Sequence, residues 1–147
     1  MNSPIGDVQI EMRGDTVIGV HYSSLPDVES STAVQHQLAE YFSGKRVNFD
    51  VTVEPDGTIF QKQVWEEMRK IPFGETATYV DIAKRIDRPE AWRAVANACG
   101  ANPIVIIIPC HRVVGSYGKL GGYSGGLERK QWLLAHEQAV ASRIHRK

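Results

Sequence analysis

Cysteine is nearly missing: the 147 residues contain only Cys99 and Cys110, and residues 1–56 contain none. Two thiols form at most one disulfide, so a disulfide-stapled scaffold is excluded. A four-thiolate zinc site is excluded too, and no Cys-x-x-Cys or close pair of histidines accompanies the two cysteines. Long hydrophobic runs are also absent. The longest aliphatic stretch, Ile104–Ile108, falls far short of the ~18 residues of a membrane-spanning helix. The start, Met1-Asn2-Ser3-Pro4, has neither the cations nor the apolar core of a secretory signal. These absences predict a cytoplasmic protein without a membrane partner (nuclear, in a nucleated cell). Nucleotide loops of the Gly-x-Gly-x-x-Gly or Gly-Lys-Ser/Thr kind do not occur, nor do internal repeats.

Net charge is missing as well, with 17 Lys+Arg against 17 Asp+Glu. The balance is not local. Residues 1–56 hold three cations and nine carboxylates (net −6), leaving 14 cations and eight carboxylates (net +6) for residues 57–147. Such segregation permits a polyanionic partner on the second half alone, although chance segregation would look the same. With 42% hydrophobic and 23% charged residues, the chain can build a packed core.

The period of the apolar residues predicts an α/β (α+β) protein. Val8–Arg13 and Val17–Tyr22, separated by Gly14-Asp15, read as a hairpin. Thr32–Phe42 reads as a helix through Val34, Leu38 and Phe42, and Phe49–Val53 as a further strand. The turn-rich Glu54-Pro55-Asp56-Gly57 marks a boundary between a small sheet-plus-helix lobe, 1–56, and a mainly helical lobe, 57–147. In the second lobe Phe60, Val64, Met68 and Ile71 recur at helical spacing. Thr78-Tyr79-Val80-Asp81 has the form of a capping box that opens a short helix through Ile86. Pro89 suits the first turn of the next helix, Ala91–Cys99, closed by Gly100. Two short helices joined by a tight break have the form of a helix-turn-helix. The second is Ala-rich with Arg93 its only cation; the small side chains would permit close approach to another surface, while spacing alone favours plain packing slightly. Asn102–Pro109 predicts a buried extended segment that delivers Cys110 out of the core. Six glycines within residues 115–126 suit a mobile lid bearing Tyr123. Leu127 to about Glu137 reads as a last helix with Leu127 and Leu134 on one face, followed by a frayed basic tail, Arg143–Lys147.

Cys110 and His111 are adjacent. An imidazole near a thiol promotes the thiolate, which is the nucleophilic form. An acid that fixes the imidazole tautomer would complete a relay, and Glu137, Asp81, Glu90 and Glu128 are candidates that sequence does not separate.

Pro109-Cys110-His111-Arg112-Val113, preceded by Asn102-Pro103 and followed by Gly121–Gly126 (GGYSGG), strongly resembles the O6-alkylguanine-DNA alkyltransferase family. Phe60-Gln61, Val64-Trp65, Ile71-Pro72, Gly74, Thr76, Thr78-Tyr79, Ile82-Ala83, Arg93-Ala94-Val95, Leu133-Leu134 and Glu137 fall in that family's order and spacing. The resemblance spans about residues 58–138. The first lobe matches loosely, through Ser3–Gly6 and the hairpin, and would be ribonuclease H-like; the second would carry a winged-helix-like helix-turn-helix.

The resemblance implies direct-reversal DNA repair by a methylated-DNA–protein-cysteine methyltransferase. A methyl or other alkyl group moves once and irreversibly from O6-alkylguanine, with O4-alkylthymine a secondary candidate, to Cys110. His111 would be the base acting through water, Glu137 would hold it, and Tyr79 would help turn out the nucleotide and donate to the guanine. Backbone groups of Cys110 and Val113 would accept from the guanine amine, and Tyr123, Ser124 and Gly125 would form the O6 and lid side. Asn102 would tie the reader helix to the active-site turn. Arg93 would fill the vacated place in the base stack, with Ala91, Ala94, Thr78 and Arg112 against the minor groove of double-stranded DNA. A monomer needing no cofactor or metal is implied. Two departures from the family's pattern are Ala96, where glycine is usual, and the bulky Trp92 beside Arg93. The competing classes are a lesion-binding protein with a chemically silent Cys110, a cysteine hydrolase and a transcription regulator.

Overall fold

A computed structural model of the chain describes residues 1–29 and 31–145. Strands β1 (Val8–Arg13) and β2 (Thr16–Tyr22) form the hairpin, pairing Val8 with Tyr22 and Arg13 with Thr16. The turn between them uses Gly14 at φ 60°, a left-handed conformation that a side chain disfavours. Helix α1 (Thr32–Phe42) lays Val34, Leu38, Tyr41 and Phe42 into the core. The strand expected at Phe49–Val53 shrinks to β3 (Thr52–Val53), parallel to β2.

Helix α2 (Ile59–Arg69) starts with a complete capping box, Thr58 with Gln61, and buries Val64, Trp65 and Met68. The expected Thr78–Asp81 box forms with both hydrogen bonds and opens α3 (Tyr79–Arg85). After a turn with Asp87 at φ 58°, α4 runs Trp92–Gly100. Ala91 is therefore the residue before α4, Gly100 its last residue, and Pro89 lies in the preceding turn rather than in the helix. Helices α3 and α4 pack on each other and both pack on α2.

A second sheet is small but decisive for the site. Strand β4 (Ala77–Thr78) runs parallel to β5 (Val113–Val114), pairing Ala77 with Val113 and Thr78 with Val114. Tyr79 follows β4 directly, and the 3-10 turn Cys110–Arg112 precedes β5 directly. Four paired residues thus bring Tyr79 and Cys110 together across about thirty positions of chain.

The extended segment expected at 104–108 is not extended. Ile104 alone bridges to Val20 of β2, and residues 105–107 turn, with Ile106 at φ 72°. A β-branched residue there is strained by about 1–3 kcal/mol. Local hydrogen bonds hold it: Ile107 N donates to Val105 O (2.8 Å) and Ile108 N to Ile104 O (3.0 Å). The apolar pattern misled because the run is buried on all sides, and burial does not distinguish a strand from a tight turn.

Helix α5 (Leu127–His145) extends eight residues past Glu137 and absorbs most of the expected tail; Arg146 and Lys147 lie outside the described residues. Its buried face is Lys130, Leu133, Glu137 and Val140, while Leu127 is half exposed. One hydrophobic cluster crosses the charge boundary, joining Val8, Ile10 and Leu38 to Val64, Ile104, Cys110 and Leu133.

Candidate active site

Cys110 is 3% exposed and lines a small cavity of about 210 Å³. The walls are Tyr79 from α3, Ala96, Asn97, Cys99 and Gly100 from α4, and Gly122, Tyr123 and Ser124 from the loop before α5. That volume is below the ~300 Å³ at which pockets for drug-sized ligands begin, and suits the edge of one flat ring with a small substituent. The loop can lie this close because Gly121, at φ 75°, has no side chain: a Cβ there would collide with the Tyr79 hydroxyl.

The turn carrying Cys110 is held from α4. Asn102, just beyond that helix, donates from Nδ2 to Ile108 O (2.8 Å) and accepts at Oδ1 from Ile104 N (3.0 Å). Cys110 N in turn donates to Ile108 O (2.8 Å). Burial pushes the Cys110 thiol from 9.0 up to about 11, against the opposing pull of the Asn102 side chain and the Lys130 ammonium. Cys110 therefore rests as a neutral thiol, not the standing thiolate that the Cys-His pair suggests. It must lose that proton before its sulfur could act as a nucleophile.

Four acids could have partnered His111, and the structure selects Glu137: His111 Nε2 lies 2.7 Å from its Oε2. Burial alone would raise the Glu137 carboxyl, but hydrogen bonds and charges from His111 and Arg112 hold it well below the usual carboxylate range. An ionised acceptor requires the hydrogen on Nε2. Burial, outweighing the pull of Glu137, keeps the imidazole below its ordinary 6.5 and hence neutral. Nδ1 is left as a free lone pair, and among the described residues it is a fully buried polar atom with no hydrogen-bond partner. A neutral imidazole so oriented is a base with one available site.

Arg112 belongs to this cluster and not to a DNA-facing surface, which corrects its expected place. Its Nε and Nη2 donate to Glu137 Oε1 (2.8 Å) and Oε2 (3.0 Å), and Nη1 donates to Ile71 O (2.8 Å). A guanidinium beside a buried carboxylate is pulled inward, because the pair stabilises what neither ion could sustain alone. Two partners escaped the sequence. Tyr41 of α1 donates its hydroxyl to Glu137 Oε2 (2.6 Å), and Gly74 N donates to Oε1 (3.1 Å). Lys130 is wholly buried, donating from Nζ to Val113 O (2.7 Å) and Gly122 O (2.9 Å), with the ammonium 5.9 Å from the Tyr79 ring centroid. Burial pulls its pKa down and the two thiols pull it up. The available signal was spacing: Lys130 lies three residues before Leu133 and seven before Glu137, on the same α5 face.

Outside the cavity mouth, α4 shows Trp92, Arg93, Ala94 and Asn97 to solvent, while Val95, Ala98 and Cys99 face inward. The Arg93 guanidinium rests 4.9 Å from the Trp92 ring centroid. Lys84, Arg85 and Arg88 are exposed nearby on α3 and the turn after it. Thr78 is committed to capping α3. Among the described residues no cluster of three or more His, Cys, Asp or Glu could hold a metal ion, and no helix is long and apolar enough to cross a membrane.

This arrangement can be compared with known proteins. The family pattern described as "6-O-methylguanine DNA methyltransferase, DNA binding domain" matches residues 59–139. The chain belongs to this family. The methylated-DNA–protein-cysteine methyltransferase of Methanosarcina mazei is 56% identical over 105 residues, covering 71% of this chain and 66% of that protein. That of Mycobacterium bovis is 40% identical over 153 aligned positions, covering 96% and 92%. The crystal structure of Mycobacterium tuberculosis OGT in complex with DNA is similar at a TM-score of 0.91 and 41% identity, over 95% of this chain and 91% of that one. The family's α/β architecture is thus shared along nearly the whole chain, the loosely matching first lobe included.

The buried thiols carry a pH signature. Cys110 is raised to about 11 and Cys99 to about 12, both chiefly by burial. A raised folded-state pKa adds stability that is fully present below the unfolded value near 9 and is lost as pH climbs through the folded value. Urea unfolding is expected to show stability falling between pH 9 and 12 by up to ~1.4 kcal/mol per pH unit and thiol. Cys110→Ser should flatten part of that slope; an unchanged slope would contradict the buried-thiol assignment.

Proposed function

We propose that the protein is a methylated-DNA–protein-cysteine methyltransferase that repairs DNA by taking a methyl or other alkyl group from O6 of guanine onto Cys110. The observation that carries this reading is the cavity: it reaches Cys110 beside an α4 face of exposed Ala94, Arg93 and Asn97, with Tyr79 on its wall.

In this reading α3 and α4 act as a helix-turn-helix that seats in the minor groove of double-stranded DNA. Lys84, Arg85 and Arg88 meet phosphate, so affinity falls steeply with salt. Chemistry on a paired base requires extrusion, which costs a few kcal/mol and less at a lesion that pairs poorly. Arg93 leaves Trp92 and fills the gap, offsetting part of the lost stacking. The small side chains of Ala91, Ala94 and Ala96 let the backbone approach the sugars. The division of labour follows the charge boundary. Residues 57–147 bind DNA and accept the alkyl group, while the acidic lobe 1–56 faces away and supplies Tyr41 and Tyr22 from behind.

The everted guanine enters between Tyr79 and the loop of Tyr123, Ser124 and Gly125, its amine held by backbone carbonyls of the Cys110–Val113 turn. His111 Nδ1 takes the Cys110 proton through a water. The sulfur forms a bond to the alkyl carbon as the bond from that carbon to O6 breaks, and the electron pair departs on the guanine. Tyr79 is raised above its ordinary pKa mainly by burial and stays protonated, so it can donate as that charge develops. Glu137 stabilises the imidazolium. The product is a thioether, which no nearby group can cleave, so the protein acts once, as a monomer. O4-alkylthymine is a secondary candidate of similar shape.

The test is a duplex bearing one O6-methylguanine, mixed with protein and followed by peptide mass. One methyl per protein on the Cys110 peptide is the expected result. Tight binding with no mass gain would favour a lesion-binding protein, and turnover beyond one equivalent would end the single-use reading.

A further inference from the structure

Two residues that do not line the cavity hold its lid. Tyr22, the last residue of β2, places its hydroxyl 2.6 Å from the Tyr123 hydroxyl, with the rings edge to face at 6.0 Å. The Gly125 backbone lies flat against the Tyr22 ring, so close that a Cβ at Gly125 would collide with it. Arg129, from the first turns of α5, sets its guanidinium over the other part of the same ring, 4.5 Å from the centroid. Its Nε donates to Ile5 O (2.8 Å) and its Nη1 to Gly125 O (3.0 Å). The Ile5 carbonyl is itself fixed, because Ser3 and Gly6 exchange two backbone hydrogen bonds around it.

The lid has little else at that end. Gly121 and Gly126 both sit at positive φ, and Gly122 and Gly126 have no neighbour where a side chain would be. Among the described residues, side-chain hydrogen bonds to residues 121–126 come from Tyr22, Arg129 and Lys130. Lys130 anchors the Gly122 end beside Tyr79, whereas Tyr22 and Arg129 anchor the Tyr123–Gly125 end, of which Tyr123 and Ser124 line the cavity with Cys110.

Resting on the transfer reading above, we propose that Tyr22 and Arg129 are positioning residues that set the height of this lid and so the size of alkyl group Cys110 accepts. Through them the first lobe takes part in substrate selection: its hairpin register decides where the Tyr22 hydroxyl stands, and the hydroxyl decides where Tyr123 stands. A methyl group fits under the clamped lid, while a bulky aralkyl group requires Tyr123 to give up its bond to Tyr22.

The test compares wild type, Tyr22→Phe and Arg129→Gln on duplexes carrying O6-methylguanine or O6-benzylguanine, with amide hydrogen exchange of residues 121–126 measured on the free proteins. Tyr22→Phe removes only the hydroxyl and keeps the ring under Gly125 and Arg129. It is expected to raise the benzyl-to-methyl rate ratio, and lid exchange, each by roughly three- to tenfold, the scale of one hydrogen bond. Arg129→Gln should move both in the same direction. A purely structural role would change both rates together and leave the ratio alone; that result, or unaltered lid exchange, overturns the proposal. If wild type accepts neither group, the transfer reading has failed, and the clamp is then decided by exchange, which involves no alkyl chemistry.

Discussion

Cys110→Ser is expected to abolish alkyl uptake while the variant still binds an O6-methylguanine duplex. The substitution is nearly isosteric, and the site tolerates a hydroxyl: Asn102 already presents its side chain to this position, and the cavity opens there. What changes is the nucleophile. A serine hydroxyl is harder to ionise than even a thiol raised to about 11, and His111, kept neutral by burial, is too weak a base to compensate. The transfer rate should fall on the order of 10⁶-fold, the scale on which a hydrolase loses activity with its nucleophile. Single-turnover kinetics with peptide mass checks this. The informative contrary outcome is alkyl uptake at Cys99, which lines the same cavity; that would show the pocket, not Cys110, to be the selective element.

The second large effect is on stability. Glu137 is 1% exposed and receives hydrogen bonds from His111, Arg112, Tyr41 and Gly74. Glu137→Leu would strand the buried Arg112 charge, and breaking such a pair costs about 3–5 kcal/mol. For a chain of this length that is roughly 10 °C in Tm. Glu137→Gln should cost less, since its amide oxygen can still accept from His111. The double variant Glu137→Leu/Arg112→Met should recover part of the loss, because the cost of the single change is mainly the unpaired cation. Thermal unfolding of the three variants checks it. If Glu137→Leu and the double variant melt alike, the cluster is not held together by this charge pair.

Alkyl transfer in Glu137→Leu should fall as well, for a separate reason. Without the carboxylate, nothing requires the hydrogen to sit on His111 Nε2, and Nδ1 ceases to be the obligatory free lone pair. Stability and activity are thus lost through different partners of one side chain.

How much was legible beforehand depended on distance along the chain. Helix α1 and the Thr78–Asp81 box were legible to the residue, because period and capping are settled within one or two turns. The Ile104–Ile108 run was not, since Asn102 and the backbone bonds of residues 105–108 convert an apolar pattern that suits a strand into a strained turn. On α5, the sequence reading put Leu127 and Leu134 on one face and passed over Lys130. Packing left Leu127 half exposed and buried Lys130, whose ammonium meets the carbonyls of Val113 and Gly122.

The sequence by itself determined the element order, the charge split between the halves and the neighbourhood of Cys110 and His111, all of which are local or additive properties. Residue spacing left four acids open and only the family resemblance pointed to Glu137; the tertiary structure showed that contact, and it alone decided that Arg112 faces Glu137, that Lys130 is buried and that Tyr22 and Tyr41 reach the site. The Glu137 and Tyr123 partners lie 25 to 101 positions away. Hydrogen bonds over such separations exist only once β2, α1, α5 and the Cys110 turn are packed into one core, and until then each of these polar side chains is as well satisfied by water.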